Sequence, residues 1–249
     1  MRIDRIDWRS YGQDVGRCLP HEPLERYCPG GYHPITLGDT LHHGRYKITN
    51  KLGYGSYSTV WLIRDHQENY SSSTWASLKI KRVSRSTENL DEDPEIRSMK
   101  ALEKHYLCGP QDRPRRFLRL LDTFHHEGPN GIHSCLIMEL LSPSLSSVLQ
   151  RNCWDDDELL GPDTILRSSQ QLLGGIQFAH HAGVSHGDIC PVNIAFTCNE
   201  ASSDEELLRL LGGSPVTATY INKQIPRTPH LPLQLVKSTD WSVITASKQ

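Results

Sequence analysis

The most informative stretch of this chain reads His186-Gly187-Asp188-Ile189-Cys190-Pro191-Val192-Asn193-Ile194. It follows a segment of helical periodicity, precedes an apolar pair, and places polar residues at defined offsets around a proline. An aspartate in such a loop can orient a hydroxyl nucleophile or accept its proton, and an asparagine further along can hold Mg²⁺ beside phosphates. Asp188 is therefore a candidate catalytic base, and Asn193 is a candidate metal ligand.

A glycine-rich turn lies far upstream, in the run Leu52-Gly53-Tyr54-Gly55-Ser56-Tyr57-Ser58-Thr59-Val60. Glycines in such a turn let main-chain amides approach phosphate oxygens, because no Cβ atom blocks the approach. A tight hairpin between two strands explains Gly-Tyr-Gly equally well. This run by itself therefore fits both a phosphate site and a simple turn.

Two charged residues follow the glycine turn. Lys79 lies among apolar residues on a strand predicted over Trp75–Val83, where its ammonium can reach phosphates or face solvent. Glu95 follows Asp93-Pro94, which is typical of a helix N-cap with proline at the first helical position. Its carboxylate can pair with Lys79, or it can simply favour the positive end of the helix dipole.

The composition is that of an ordinary globular protein, with 249 residues, a formal net charge of -2 and 37% hydrophobic residues. This balance gives no electrostatic case for nucleic acid or an anionic membrane, and no stretch predicts a secretory signal or a membrane helix. Seven cysteines without a Cys-x-x-Cys pair predict reduced thiols and a cytoplasmic or nuclear location. The histidine pairs are predicted to be solvated surface: His42-His43, His125-His126 and His180-His181.

Apolar periodicity predicts a small, mainly antiparallel sheet with one inserted helix, followed by a helical segment. The predicted strands are Tyr46–Leu52, Ser58–Ile63, Trp75–Val83, Phe117–Phe124 and Ile132–Leu140. The predicted helices run from Pro94 to Lys104 and from an Asp163 cap to His181, with Gly183 as the stop. Residues 1–45 are predicted to be an extended lead-in, and residues 199–249 an irregular tail with a short helix over Asp204–Leu211.

The four features described first, taken in their order along the chain and on these elements, resemble the signature set of eukaryotic protein kinases. The lead-in Tyr27-Cys28-Pro29-Gly30-Gly31-Tyr32-His33-Pro34 and the runs Ser58–Leu62 and Glu95–Arg97 narrow the resemblance to the SR-protein kinase family. It extends over residues 27–198. The implied fold is α+β and kinase-like bilobal, with a complete β-rich small lobe over residues 46–141 and an incomplete helical large lobe over residues 142–198.

The family resemblance implies a serine/threonine protein kinase that uses ATP and Mg²⁺ and transfers the γ-phosphate to serines of Arg-Ser-rich proteins, such as splicing factors. We expect a monomer with a protein substrate and without a nucleic-acid or membrane partner. Asp188 is the implied base, Asn193 the implied Mg²⁺ ligand, and Lys79, held by Glu95, the implied contact to the α- and β-phosphates. The implied nucleotide-contacting residues are Leu52, Gly53, Tyr54, Gly55, Ser56, Val60, Ala76, Lys79, the gatekeeper Met138, and the hinge residues Glu139, Leu140 and Leu141.

The sequence departs from the family pattern in several places. No Asp-Phe-Gly motif follows the catalytic-type loop, which predicts that the chain is truncated before its second metal-binding motif. Cys190 stands where kinases of this type have a lysine that contacts the transferred phosphate, and Gly187 replaces the usual arginine. Pro94 fixes the helix start directly before Glu95, which argues against a pair between Glu95 and Lys79.

Two other functions are compatible with these residues. A pseudokinase or kinase fragment that binds nucleotide or a partner protein agrees with the missing motif and with Cys190. A small-molecule phosphotransferase has a similar loop over His186–Asn193. The glycine hairpin and the lead-in favour a protein kinase over that second alternative.

Overall fold

The computed structural model describes residues 8–12, 16, 18, 21–66, 74–110, 112–152, 160–197, 205, 207, 211, 213–221 and 227–239. An antiparallel sheet comes first along the chain, and a helical segment follows it. Two further pairs of short antiparallel strands lie in the second half of the chain. Across these ranges, no helix has the length and apolar character that crossing a membrane requires.

The alternating segments in the first half of the chain form a six-stranded sheet. Its strands are β1 (Thr40–Leu41), β2 (Tyr46–Tyr54), β3 (Ser58–Asp65), β4 (Thr74–Lys81), β5 (Leu120–Gly128) and β6 (Gly131–Glu139). They pair antiparallel in the order β1-β2-β3-β4-β6-β5, so the predicted sheet is confirmed. β5 begins at Leu120 rather than at Phe117, whose ring stacks instead on Phe178 of a later helix at 5.3 Å.

The main apolar core lies on one face of this sheet. Trp61 and Ile63 of β3 pack there with Leu78 and Ile80 of β4, and each is at most 2% exposed. These residues occupy alternate positions because successive side chains of a strand point to opposite faces. The intervening residues therefore face the other side of the sheet, which carries the inserted helix.

The inserted helix α1 (Pro94–Leu107) begins where the sequence predicts. The Asp93 carboxylate accepts hydrogen bonds from the main-chain N–H groups of Glu95 at 3.0 Å and Ile96 at 3.3 Å. This cap satisfies donors that the first turn of a helix leaves unpaired. Ile96 and Met99 then pack against β6, which fixes α1 on the sheet.

The helical segment follows the sheet directly. Its elements are β7 (Leu141–Ser144), α2 (Leu145–Asn152), α3 (Pro162–His181) and β8 (Ala195–Thr197). The predicted Asp163 cap of α3 is wrong: Gly161 is the N-cap, and Asp163 lies in the first turn. Gly183 follows the helix with φ of +75°, as predicted.

The lead-in and the tail are more ordered than the sequence predicts. Their described elements are the 3₁₀ turns Trp8–Tyr11 and Leu24–Arg26 and the antiparallel strands β9 (Thr217–Thr219) and β10 (Gln234–Val236). The Tyr11 hydroxyl donates to the Pro232 carbonyl at 2.9 Å, across 221 positions of the chain. The sequence did not predict this contact, because it joins segments too distant for a local pattern to reveal.

Lead-in and tail share one buried apolar cluster, which we call the end cluster. Its members are Tyr11, Cys18, Leu24, Tyr27, Tyr32, Ala218, Leu231 and Leu235. Most of the short helix predicted over Asp204–Leu211 lies outside the described residues. Two of its positions that are described, Leu207 and Leu211, are buried against Leu62 of β3.

Candidate active site

The glycine turn joins β2 to β3 and leaves open space beside its backbone. Neither Gly53 nor Gly55 has a positive φ, and a Cβ atom built at either position would meet nothing within 4 Å. The hairpin itself therefore does not require glycine at these positions. Free space beside an exposed backbone is what a phosphate group would need, so the structure favours the phosphate interpretation over the simple turn.

The other predicted residues of this loop are accessible. Tyr54 and Ser56 are exposed, and Leu52 and Val60 are half-buried. Val60 pairs with Gly53 on one side and with Lys79 on the other. Directly paired residues of an antiparallel sheet point to the same face, so Val60 lies on the face that carries the lysine.

The Lys79 ammonium lies 2.7 Å from the Glu95 carboxylate, so this pair forms despite the argument from Pro94. Pro94 occupies the first helical position without disturbing the helix, because the Asp93 cap takes the exposed N–H groups. Lys81 joins the same network, at 2.7 Å from Asp93 and 3.0 Å from Glu95. The start of α1 is thus bonded to β4 through two lysines and two carboxylates.

Glu95 stays ionised in this network. Its burial by itself raises the pKa, but attraction and hydrogen bonding to the Lys79 and Lys81 ammonium groups hold the pKa below its usual value. A carboxylate that is charged at neutral pH can fix the Lys79 ammonium in place. A fixed ammonium on the open face of a sheet can stabilise phosphate oxygens.

The burial of β4 contradicts the prediction for one site residue. Ala76 is 2% exposed and packs in the main core with Leu78, on the face opposite to Lys79. Its assignment to the nucleotide site is therefore wrong. Ser77 shares the face of Lys79, because residues two apart on a strand point the same way. The sequence contained this signal, since counting back two positions from Lys79 leads to Ser77.

The hinge follows β6 and contacts Ser77. The Ser77 hydroxyl is 3.2 Å from the carbonyl oxygens of both Met138 and Glu139. Met138 is 5% exposed and packs against α1, as a residue behind a nucleotide pocket would. Leu140 and Leu141 are half-buried.

The tail supplies residues beside the hinge that the sequence did not predict. Leu207 and Leu211 form a small cluster with Leu62, and Leu52 and Leu140 pack against it. Two of the expected nucleotide-contacting and hinge residues therefore pack against a cluster to which the tail contributes. No local motif in the tail signals this contact.

The catalytic-type loop brings Asp188 and Asn193 together. The Asn193 amide donates to the Asp188 carboxylate at 2.9 Å and to the Asp188 carbonyl at 3.0 Å. The same amide lies 3.3 Å from the Cys190 sulfur. All the residues from His186 to Val192 except Cys190 are exposed, so the Asp188 carboxylate is accessible to a substrate hydroxyl.

The oxygen atoms of Asp188 and Asn193 suit Mg²⁺, which binds hard oxygen ligands and keeps several positions for water and phosphate. They can supply some of the ligands of such a site. The later aspartates Asp204 and Asp240 lie outside the described residues. Among the residues that are described, no cluster of three or more His, Cys, Asp or Glu side chains could hold a metal ion by itself.

A short strand pair connects the catalytic-type loop to the hinge. Leu141 pairs with Thr197, and the Leu145 N–H donates to the Ile194 carbonyl at 2.7 Å. Asn193 precedes Thr197 by four positions, which limits its distance from this pairing to about 14 Å. This pairing therefore connects the catalytic-type loop to the hinge through the backbone.

Not all of the paired histidines are solvated surface. The His126 ring packs edge-on against His33 at 4.6 Å, and His33 packs against His133 at 5.0 Å. Burial lowers the pKa of His33 to about 3 and also lowers the pKa values of His126 and His133. His42 contacts Phe124 at 4.5 Å. The surface prediction is therefore wrong for His126, because its ring is partly buried against His33.

Known proteins resemble this chain over most of its length, although no protein-family model matches it. It is 28% identical over 227 residues, or 89% of the chain, to the serine/threonine-protein kinase SKY1 of Saccharomyces cerevisiae. It is 30% identical over 81% of the chain to the protein kinase dsk1 of Schizosaccharomyces pombe, and 33% identical over 72% of the chain to human SRSF protein kinase 3. The aligned parts are 29%, 36% and 30% of those proteins, so the chain spans about a third of their length.

A solved structure shows the same fold. The crystal structure of a kinase domain aligns with 88% of this chain and 57% of its own chain, with a TM-score of 0.50 and 16% sequence identity. The α+β kinase-like fold expected from the sequence is confirmed, with a β-rich small lobe and an incomplete helical part of the large lobe. The chain is thus a homologue of the SR-protein kinases, a family of eukaryotic serine/threonine protein kinases.

Proposed function

We propose that this chain carries the nucleotide-binding and catalytic-loop part of a serine/threonine protein kinase of the SR-protein kinase type. The observation that carries the proposal is the 2.7 Å ion pair between Lys79 and Glu95, which lies on the same face of the sheet as Val60 of the glycine loop. A phosphate site needs such a fixed cation beside free backbone amides. The relatives named above are all protein kinases, which supports the same conclusion.

In phosphoryl transfer, some of these residues bind the nucleotide and others orient the reacting groups. Lys79, held by Glu95, stabilises the α- and β-phosphates of ATP, and the glycine loop supplies amides. Asp188 accepts or orients the proton of the substrate hydroxyl, and Asn193 offers an oxygen to Mg²⁺. When bound, Mg²⁺ neutralises charge that develops on the transferred phosphate.

The same proposal includes the substrate and the cellular location. We propose serines of Arg-Ser-rich proteins as acceptors, because the lead-in and the helix start match the SR-protein kinase family. We propose a cytoplasmic or nuclear location, in line with cysteines that are free thiols at the five described positions. A monomer that acts on protein and does not bind nucleic acid or membrane completes the proposal.

Transfer of radiolabelled γ-phosphate tests this function directly. We expect labelling of an Arg-Ser peptide, none of the same peptide with every serine replaced by alanine, and none of an aminoglycoside. Labelling of the aminoglycoside alone would instead support a small-molecule phosphotransferase. Absence of any labelling, with the protein folded, would contradict the kinase proposal for this chain.

A second candidate function is nucleotide binding without efficient transfer, and Cys190 favours it. The thiol takes the position of a lysine in kinases of this type and contacts Asn193 at 3.3 Å, without a positive charge. Loss of one such preorganised contact costs on the order of 10²–10³ in rate. For a binding-only protein, we expect normal Mg-ATP affinity with weak transfer, and a gain of roughly that size in Cys190→Lys. Equal rates for both proteins would remove this candidate.

A further inference from the structure

The Gly-Gly-Tyr motif of the lead-in forms a tight turn wedged against the sheet. Gly31 has no room for a side chain, because a Cβ atom there would lie 1.9 Å from the Arg26 carbonyl oxygen. The carbonyls of Gly30 and Gly31 accept hydrogen bonds from the N–H groups of Ser84 at 3.0 Å and Val83 at 3.2 Å, just beyond β4. The turn is therefore fixed from both sides, and so is the residue that follows it.

Tyr32 follows the turn, and its ring and main chain are fixed by contacts with several segments. It is 1% exposed, its ring packs against Tyr27 at 5.6 Å, and the Arg82 guanidinium lies 5.5 Å above it. The main-chain carbonyl of Tyr32 accepts a hydrogen bond from the Asn130 amide. A buried aromatic ring with these contacts places its hydroxyl at one defined point.

The lead-in holds the glycine loop through two hydrogen bonds. The Tyr32 hydroxyl donates to the Gly55 carbonyl at 2.6 Å, and the Arg26 guanidinium donates to the Ser56 carbonyl at 2.9 Å. Two consecutive carbonyls of the loop are thus bonded to the lead-in. The exposed loop itself supplies one hydrogen bond across its turn, from the Gly55 N–H to the Ser58 carbonyl at 2.9 Å.

Peptide geometry turns these two bonds into a constraint on the amides. A peptide unit is planar and trans, so the carbonyl of one residue and the N–H of the next point in opposite directions. With the Gly55 and Ser56 carbonyls directed at the lead-in, the N–H groups of Ser56 and Tyr57 point away from it. Amides oriented in advance bind an anion better than amides that must first be ordered.

We propose that Tyr32 and Arg26 are positioning residues for nucleotide binding, which act by orienting the amides of the glycine loop toward phosphate. This inference rests on the proposed function, because the phosphate belongs to ATP. The Gly-Gly-Tyr turn has a physical purpose in this proposal. It sets the hydroxyl of Tyr32 where the loop carbonyl must be held.

A matched pair of substitutions tests the inference. Tyr32→Phe removes the hydroxyl that contacts the Gly55 carbonyl, and Tyr11→Phe removes a hydroxyl that contacts the Pro232 carbonyl at 2.9 Å. Both tyrosines are 1% exposed, so each variant loses one hydrogen bond from a buried side chain of the lead-in. A purely structural role predicts similar behaviour for the two variants.

Hydrogen exchange without nucleotide is the first measurement. We expect the Gly55 amide to exchange roughly fivefold faster in Tyr32→Phe and at the wild-type rate in Tyr11→Phe, in proportion to one lost hydrogen bond. Arg26→Met combined with Tyr32→Phe should increase the exchange further. Unchanged exchange in Tyr32→Phe, or the same increase in both single variants, would overturn the inference.

The second measurement is the affinity for Mg-ATP, determined by calorimetry. We expect the dissociation constant to rise roughly fivefold in Tyr32→Phe and to stay unchanged in Tyr11→Phe. Equal affinity of wild type and Tyr32→Phe would also overturn the inference. A wild type that binds no Mg-ATP would contradict the proposed function, and in that case the exchange comparison still decides whether Tyr32 orders the loop.

Discussion

The six-stranded sheet and the catalytic-type loop are supported very differently by the rest of the molecule. Leu78 and Ile80 of β4 are 0% and 1% exposed, whereas Ile189 and Val192 of the loop are 49% and 66% exposed. Yet the loop is the part that the sequence identifies most readily. A motif is recognisable because its chemical groups lie at fixed offsets in the sequence, whereas packing is what holds a segment in place. Here the recognisable motif lies in the exposed loop, and the close packing lies in the sheet.

This difference predicts opposite effects of substitution in the two regions. In the loop, a change should remove chemistry and leave stability almost intact. In the sheet and the lead-in that packs on it, a change should remove stability. The following experiments test that contrast.

Asp188→Asn should have the largest effect on activity. Removal of a general base lowers a rate by roughly 10²–10⁴, whereas an exposed substitution changes the free energy of unfolding by less than about 0.5 kcal/mol. Phosphate transfer to an Arg-Ser peptide and urea denaturation measure the two quantities. Asp163→Asn, also at an exposed aspartate, is the control and should leave the rate unchanged. A large loss of stability in Asp188→Asn would show that the loop is packed more firmly than described.

Lys51→Met should have the largest effect on stability. Lys51 of β2 and Glu22 of the lead-in form an ion pair, with side chains that are 1% and 2% exposed. Burial alone raises the pKa of Glu22, but Lys51 and the Tyr27 hydroxyl hold the pKa below its usual value. Removal of one partner leaves a buried charge and costs about 3–5 kcal/mol in the free energy of unfolding.

Urea denaturation measures the Lys51→Met effect. The double variant Lys51→Met with Glu22→Gln should recover part of the loss, since it no longer leaves a carboxylate without its cation. Lys47→Met is the matched control, because Lys47 is an exposed lysine of the same strand. A single variant as stable as the control would mean that the lead-in does not depend on this pair.

Acidification should destabilise the sheet through its stacked histidines. Burial lowers the pKa of His33 to about 3, so between this value and the unfolded value near 6.5 the unfolded chain binds more protons. Stability is therefore complete above pH 6.5 and falls as the pH drops toward 3. For His33 alone the loss between pH 6.5 and 4.5 is about 2 kcal/mol.

The His33→Phe variant checks the acid effect, since it should flatten this part of the pH profile. His125→Gln, at an exposed histidine, should retain the wild-type slope. The other groups around His33 are His126, His133 and, beside His126, the Asp39 carboxylate, which opposes the shift. A His33→Phe profile with the wild-type slope would assign the acid sensitivity to other groups.

One identical substitution in the two regions gives the smallest but cleanest comparison. Ile80→Val in the core should cost about 0.5–1.5 kcal/mol in the free energy of unfolding, because it leaves a cavity. Ile189→Val in the loop should change it by less than about 0.5 kcal/mol. Thermal or urea denaturation of both variants measures the difference. Equal costs would contradict the contrast between the regions.

Local patterns predicted the elements whose partners are close in sequence. Alternation located β2, β3, β4 and β6, and Asp93-Pro94 located the start of α1, because a cap and a first-position proline act within one turn. The motifs at Lys79 and Asp188 were found for the same reason. Their chemistry depends on offsets within a single segment.

The features that were missed depend on relations between segments or between faces. Whether Pro94 permits the Lys79–Glu95 pair depends on how α1 meets β4, which the helix sequence alone does not contain. The end cluster joins residues about two hundred positions apart, as the Tyr11 contact to Pro232 does. The error at Ala76 is of another kind, since strand alternation already assigns the site face to Ser77.

The most direct test of the central claim is the melting temperature of the chain with saturating Mg-ATP. At a hundredfold excess over the dissociation constant, binding to the folded state adds about 2.7 kcal/mol, or an increase of about 5–10 °C. We predict this increase for wild type and for Lys47→Met, and a much smaller one for Lys79→Met, which loses the cation paired with Glu95. No increase in the wild type, or an equal increase in Lys79→Met, would contradict the central claim.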